Sequence, residues 1–235
     1  MDYVMALTIS YSINFRKYQM QIQNLSKFLV AVIAVSQLSA CGVIAVGGVA
    51  ATATVMADRR TPGVQAIDKG IELQASGAFD KKFADSAHIN VTSFNQKVLL
   101  TCEVKDAAIK SEAESYIKGL KNVRSVFNEL IIGPNSTYTM RANDTYLESK
   151  IKTQMIFTQQ LPSNSMVIVA EGSSIYLMGI LTQGEADLAK KIASNTGGVK
   201  DVYAYFDIIS NAEKTRLENA GKADEAQPSS PPKFQ

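Results

Sequence analysis

The chain has 235 residues, 46% hydrophobic and 20% charged, a composition that folds rather than staying unstructured. Of its 24 basic and 22 acidic residues, Arg16, Lys17, Lys27 and Asp2 lie in residues 1–40, which leaves 21 of each sign from Cys41 onward and argues against a basic face for nucleic acid. One histidine (His88), two cysteines and no tryptophan argue against a histidine-based triad and against a zinc site of the usual Cys/His kind.

The apolar run Phe28-Leu-Val-Ala-Val-Ile-Ala-Val35 follows Lys27 and precedes Ser36-Gln37-Leu38-Ser39-Ala40-Cys41. It is too short to span a bilayer, which takes roughly 20 residues. A basic flank, a short apolar core and small residues at a cut site make a secretory signal over residues 1–40. Leu38-Ser39-Ala40-Cys41 resembles a bacterial lipobox, in which Cys41 takes lipid and becomes the new N-terminus. Translation starts either at Met1 or at Met20, with residues 1–19 then upstream of the true start. The mature chain is expected outside the cytoplasm, held by covalent lipid on Cys41 and using no other cofactor. Gly42, rather than Asp, follows the cysteine, which by resemblance to sorting in enteric bacteria favours the outer membrane. With Cys41 acylated, Cys102 has no disulfide partner.

Residues 41–67 read as the lipidated N-terminus and a spacer, Gly-, Ala-, Val- and Thr-rich and uncharged up to Ala57. From Cys41 to Asp68 the chain reaches at most about 90 Å when extended.

Two segments of like pattern follow, 68–133 and 143–210. In the first, Ile67, Ile71, Ala75 and Ala78 fall at helical spacing. Ile89 and Val91 alternate in a strand, Asn95-Gln96 makes a turn, and Val98, Leu100, Cys102 and Val104 alternate in a second strand. Asp106 caps a second helix with the stripe Ile109, Ala113, Ile117 and Leu120. A last strand runs through Val123, Val126, Phe127 and Leu130. In the second segment, Asn143 or Asp144 caps a helix with the stripe Leu147, Ile151 and Met155. Strand 166–170 and a strand alternating Ile175, Leu177, Gly179 and Leu181 flank a turn at Gly172-Ser173. Thr182-Gln-Gly-Glu185 is a capping box for the next helix, and residues 199–209 form the final strand. The fold class is therefore α+β: two tandem units, each helix-strand-strand-helix-strand, with both helices on one face of a three-stranded mixed sheet. Residues 211–235, polar and ending Gln227-Pro-Ser-Ser-Pro-Pro232, read as a disordered tail.

The lipobox, the segment Asp58-Arg-Arg-Thr-Pro-Gly-Val-Gln-Ala-Ile-Asp68 and the two tandem units resemble the DolP-like, dual-BON-domain outer-membrane lipoproteins, over roughly residues 27–209. The resemblance implies a non-catalytic, periplasm-facing protein that binds anionic phospholipid and supports envelope integrity. It assigns membrane contact to the first helix of the second unit, residues 144–157. The residues so assigned are Tyr146, Leu147, Lys150, Lys152, Met155, Ile156 and Phe157, although Leu147 and Met155 also belong to the core stripe. BON units usually carry a glycine in the second strand. Gly179 supplies it in the second unit, whereas the first has Cys102, expected as a buried, inert thiol facing the helices.

Tyr176, Met178, Ile180, Tyr203 and Tyr205 share the other face of the second sheet, unusually apolar for a surface. That face either packs on the first unit or its linker, or recruits a periplasmic protein partner, such as an envelope assembly machine or a cell-wall amidase pathway. No set of residues points to catalysis or to a metal. Oligomeric state is not readable.

Overall fold

A computed structural model of the chain describes residues 58–83, 87 and 89–226. The signal sequence, Cys41 and its lipobox, the spacer 42–57, His88 and residues 227–235 lie outside the described residues. Two helix-and-sheet units succeed one another.

In the first, α1 (Pro62–Phe83) begins with proline at its first position, where no N–H is needed. It starts earlier than the apolar spacing suggests, and its inner face is completed by Phe79 and Phe83 rather than Ala78. The strands β1 (Asn90–Phe94) and β2 (Lys97–Thr101) form an antiparallel hairpin. Its turn residues, Asn95 and Gln96, hold positive φ of 51° and 64°, as a tight two-residue turn requires. After a kink at Cys102 comes β3 (Glu103–Val104), then α2 (Ala107–Lys118), whose Asp106 cap accepts the Ile109 N–H at 2.9 Å. β4 (Ser125–Asn128) and β5 (Ile131–Ile132) return parallel to β2 and β3. Ile71, Phe79, Val98, Leu100, Ala113 and Ile117 are fully enclosed between the helices and this sheet.

The second unit repeats the order: α3 (Tyr138–Ile156), β6 (Met166–Glu171), β7 (Ser174–Leu181), α4 (Gln183–Ser194) and β8 (Asp201–Ile208). β6 and β7 are antiparallel, and β7 and β8 parallel. Thr182 and Glu185 form the expected capping box. Leu147, Ile151, Met155, Ile175, Leu177 and Ala189 fill the core between sheet and helices.

Asn143 and Asp144 do not cap α3; Thr137 does, accepting the Met140 N–H at 3.3 Å. Asp144 is instead buried inside the helix, where its carboxylate accepts the N–H groups of Gly172 (3.0 Å) and Ser173 (2.8 Å). Asp68 does the same in the first unit, accepting from Asn95 N–H (2.8 Å) and Gln96 N–H (2.7 Å). Each unit thus uses one helical aspartate, three residues before a core aliphatic, to satisfy the main-chain donors of its hairpin turn.

Two further elements complete the body. Asn211–Ala226 is a helix, α5, and not the disordered tail that its polar composition suggests. Good helix formers carry it, the Ser210 hydroxyl accepts the Glu213 N–H at 3.1 Å, and Leu217 packs on the apolar layer between the two sheets. Ahead of α1, Arg59 is buried and bridges α4 and α5. It donates to Glu185 through both terminal nitrogens (2.8 and 2.9 Å), to Glu218 (2.8 Å) and to the Ile180 carbonyl (2.9 Å). Arg60 turns to the first unit, donating to Asp68 at 2.9 Å and lying over the Phe94 ring at 4.0 Å. Adjacent arginines therefore fasten the segment before α1 to both units.

Candidate functional site

Two surfaces bear on function: the outward face of α3 and the second sheet face. On α3, the helical period turns Leu147, Ile151 and Met155 inward, and all three are buried. Leu147 and Met155 therefore cannot touch a lipid surface, which corrects their assignment to the membrane-contacting set. The opposite face carries Tyr138 (83% exposed), Tyr146 (59%), Ile156 (51%) and Phe157 (82%). Lys152 is exposed beside them, and Lys150 is half-buried with its ammonium 5.6 Å from the Tyr146 ring centroid. Because the helix starts at Tyr138, it also brings Tyr138 and Arg141 to this surface, residues that the expected start near Asn143 omitted. The only carboxylates on α3 are Asp144, committed to the hairpin turn, and Glu148, half-buried at its flank. Loss of solvent holds the Glu148 carboxyl above its usual range, against the opposing effect of Lys152. The exposed face thus combines aromatic and aliphatic side chains with three cations and no exposed acid.

The second surface is closed. Tyr176, Met178 and Ile180 are buried, packed with Tyr205 against Phe94, Leu99 and Phe127 of the first unit. Phe127 and Tyr205 stack with centroids 4.0 Å apart, and the Tyr205 hydroxyl donates to Glu129 at 2.6 Å. Tyr203, at the margin, stacks on Tyr176 at 5.2 Å. Burial pushes the Tyr176 hydroxyl up to about 12, so it stays protonated in this layer. Of the two readings of this aromatic face, the structure therefore has the interdomain one. Two sheets lie back to back with helices outside, and the face is not available to recruit a partner.

Comparison with known proteins follows from this architecture. The BON domain profile matches residues 76–134 and again 143–209. The chain belongs to the BON-domain family. It is 30% identical over 189 residues to Outer membrane lipoprotein DolP of Haemophilus influenzae, covering 80% of this chain and 98% of that protein. It is 25% identical to the 21 kDa hemolysin of Actinobacillus pleuropneumoniae over 65% of this chain and 79% of that protein. With Osmotically-inducible protein Y of Escherichia coli it shares 27% identity over 57% of this chain and 69% of the relative. These likenesses make the chain an outer-membrane lipoprotein with two BON units. Among the described residues, no helix is long and apolar enough to cross a membrane.

The two BON units differ at the small residue of the second strand. A Cβ on Gly179 would stand 2.9 Å from the Ser165 carbonyl oxygen, so that position is glycine because backbone approaches it closely. In the first BON unit the strand instead kinks at Cys102, which holds a φ of 95°. The ladder continues across the kink through Ile131 N–H to the Cys102 carbonyl at 3.0 Å. The kink turns the thiol away from the helices, where the strand alternation had placed it, and toward the second BON unit. There Cys102 donates to Glu171 at 3.0 Å. Burial, reinforced by the Glu171 carboxylate, pushes the thiol pKa up, so it is neutral and unreactive as a nucleophile.

Proposed function

We propose that this lipoprotein is a non-catalytic, periplasm-facing protein that holds the outward face of α3 against anionic phospholipid and so supports the integrity of the envelope. The observation that carries the reading is the outward face of α3. Tyr138, Tyr146, Ile156 and Phe157 are exposed there beside Arg141, Lys150 and Lys152, with no exposed carboxylate. An interfacial helix needs this pairing: aromatic and aliphatic groups to enter the headgroup boundary, and cations to meet its negative charge. Each cation contributes about 1 kcal/mol near an anionic surface, so three give weak binding on their own.

The tether makes weak binding sufficient. The Arg59 N–H donates to Ser165 Oγ at 3.0 Å, in the turn Ser163–Ser165 that follows α3 and packs on it. The chain thus enters the folded body beside the C-terminal end of α3, where Phe157 lies. Arg59 is 18 residues beyond Cys41, a reach of at most about 60 Å. An anchor within that reach keeps the local concentration of membrane high.

Co-sedimentation of the chain from Gly42 onward with vesicles tests the reading. The expected result is binding to anionic and not to zwitterionic vesicles, weakened by salt and reduced at least tenfold in the double variant Lys150→Glu, Lys152→Glu. Equal binding by that variant would overturn it.

A further inference from the structure

Among the described residues, both sheets end beside one shared cavity in a strand that is paired along one edge only. These are β1 of the first BON unit and β6 of the second. Three cavities that share lining residues follow β6 for its whole length and together make a trough. One of about 140 Å³ lies at Met166–Ile168, one of about 440 Å³ lies between β1 and β6, and one of about 260 Å³ reaches Glu171. Glu148 of α3 lines all three.

The main chain along this trough is set out as a strand edge. In an antiparallel pair, alternate residues turn their N–H and C=O groups away from the partner strand. Glu171 and Ser174 close the two-residue turn as a bonded pair, so Ala170 and Ile168 turn theirs outward, and the Glu148 carboxylate meets the Ala170 N–H. On β1, the Ser93 N–H goes to Glu72 at 3.0 Å, which makes Val91 the equivalent residue there. Ile168 and Val91 both line the 440 Å³ cavity, so each points main-chain polar groups into it. Free edges of this kind are templates for a further strand. The charge of the trough selects what such a strand carries. Asp80, Glu103, Asp144, Glu148 and Glu171 line it against Arg141 and Lys152; all but Asp80 accept a hydrogen bond from a neutral donor within the chain, which leaves their charge in place.

We propose that this trough binds an extended, lysine- or arginine-bearing segment of a partner protein, added as a strand along the edge of β6. β6 is six residues, about 20 Å, long, and with the Ala170 N–H held by Glu148 an added strand pairs at its Met166–Ile168 end. The trough shares Arg141 and Lys152 with the margin of the outward face of α3, while Tyr138, Tyr146, Lys150, Ile156 and Phe157 of that face lie outside it.

The test is hydrogen exchange on the full chain in detergent, with the peptide acetyl-(Lys-Val)3-amide as probe. Expected is at least tenfold slower exchange at the Ile168 amide. Replacing the central valine of the peptide by proline, or every lysine by glutamate, should abolish the protection. Glu148→Gln should weaken binding severalfold while leaving the fold intact. Ile168→Pro should abolish it, because it removes an edge donor and no bond to β7. Four results would overturn the proposal: no protection at millimolar peptide, equal protection by the proline peptide, protection confined to the outer face of α3, or protection of β6 by self-association without peptide. None of them bears on vesicle binding, so the two readings fail separately.

Discussion

Arg59 and Glu185 meet through two parallel hydrogen bonds of 2.8 and 2.9 Å, with the arginine side chain wholly buried and the glutamate nearly so. Glu185 is also the capping-box residue of α4, and it accepts Lys214 of α5 at 2.8 Å. One carboxylate thus joins the segment before the first BON unit, a helix start of the second and the C-terminal helix. Removing the arginine leaves that carboxylate buried with part of its compensation gone. Arg59→Ala is expected to cost about 3–5 kcal/mol in urea unfolding of the chain from Gly42 onward. A loss under 1 kcal/mol would mean that the clasp is not formed in solution.

The same site sets an acid dependence. Burial opposes ionisation of Glu185, but hydrogen bonds from Arg59, Lys214 and the Thr182 N–H prevail and hold its pKa at about 2, below the usual 4.5. A depressed folded-state pKa gives stability that is fully present above the unfolded value and is lost as pH falls through the folded one. Thermal midpoints should therefore drop between pH 4.5 and 2, and Glu185→Gln should flatten that part of the profile.

Across the sheet-to-sheet seam, Phe127 and Tyr205 stack while the tyrosine hydroxyl binds Glu129. A double-mutant cycle with Phe127→Ala and Tyr205→Ala should give a coupling of about 0.5–1.5 kcal/mol. Additive effects would show that the two BON units do not pack through this pair.

The two equivalent strand positions should respond unequally to substitution. Gly179→Ala forces a Cβ against the Ser165 carbonyl and should cost about 1–3 kcal/mol. Cys102→Gly relieves a positive φ as it removes the thiol contact to Glu171, and should change stability by less than about 1 kcal/mol. Matching losses in denaturant unfolding would refute this account of why the residues differ.

Much of this fold was legible in the chain. Alternation over Val98 and Leu100 and over Ile175 and Leu177, with caps at Asp106 and Thr182, gave the elements and their order, because each core stripe keeps a regular period. What was missed depends on contacts distant in sequence. Asp144 looks like a helix cap until Gly172 and Ser173 stand in front of it, although its match with Asp68, three residues before a core aliphatic in each unit, was a signal of the shared role. Residues 211–226 are too polar to suggest packing, and their helix is held by Leu217 and by Glu218 on Arg59. The Cys102 kink leaves no mark in an alternating pattern. Of the set proposed to face lipid, spacing separates Tyr146, Ile156 and Phe157 from the buried Leu147 and Met155. Tyr138 and Arg141 could be assigned only once the true start of α3 was known.

The claim that α3 meets the membrane is tested most directly by fluorescence, because the chain has no tryptophan of its own. Three single-tryptophan variants of the chain from Gly42 onward, Tyr146→Trp, Phe157→Trp and Tyr116→Trp, place a probe at two positions on the proposed face and one on the first BON unit. Phosphatidylglycerol vesicles should shift the emission of the first two to the blue and leave the third unchanged, and phosphatidylcholine vesicles should shift none. An unchanged spectrum at both 146 and 157, or an equal shift at 116, would contradict the account.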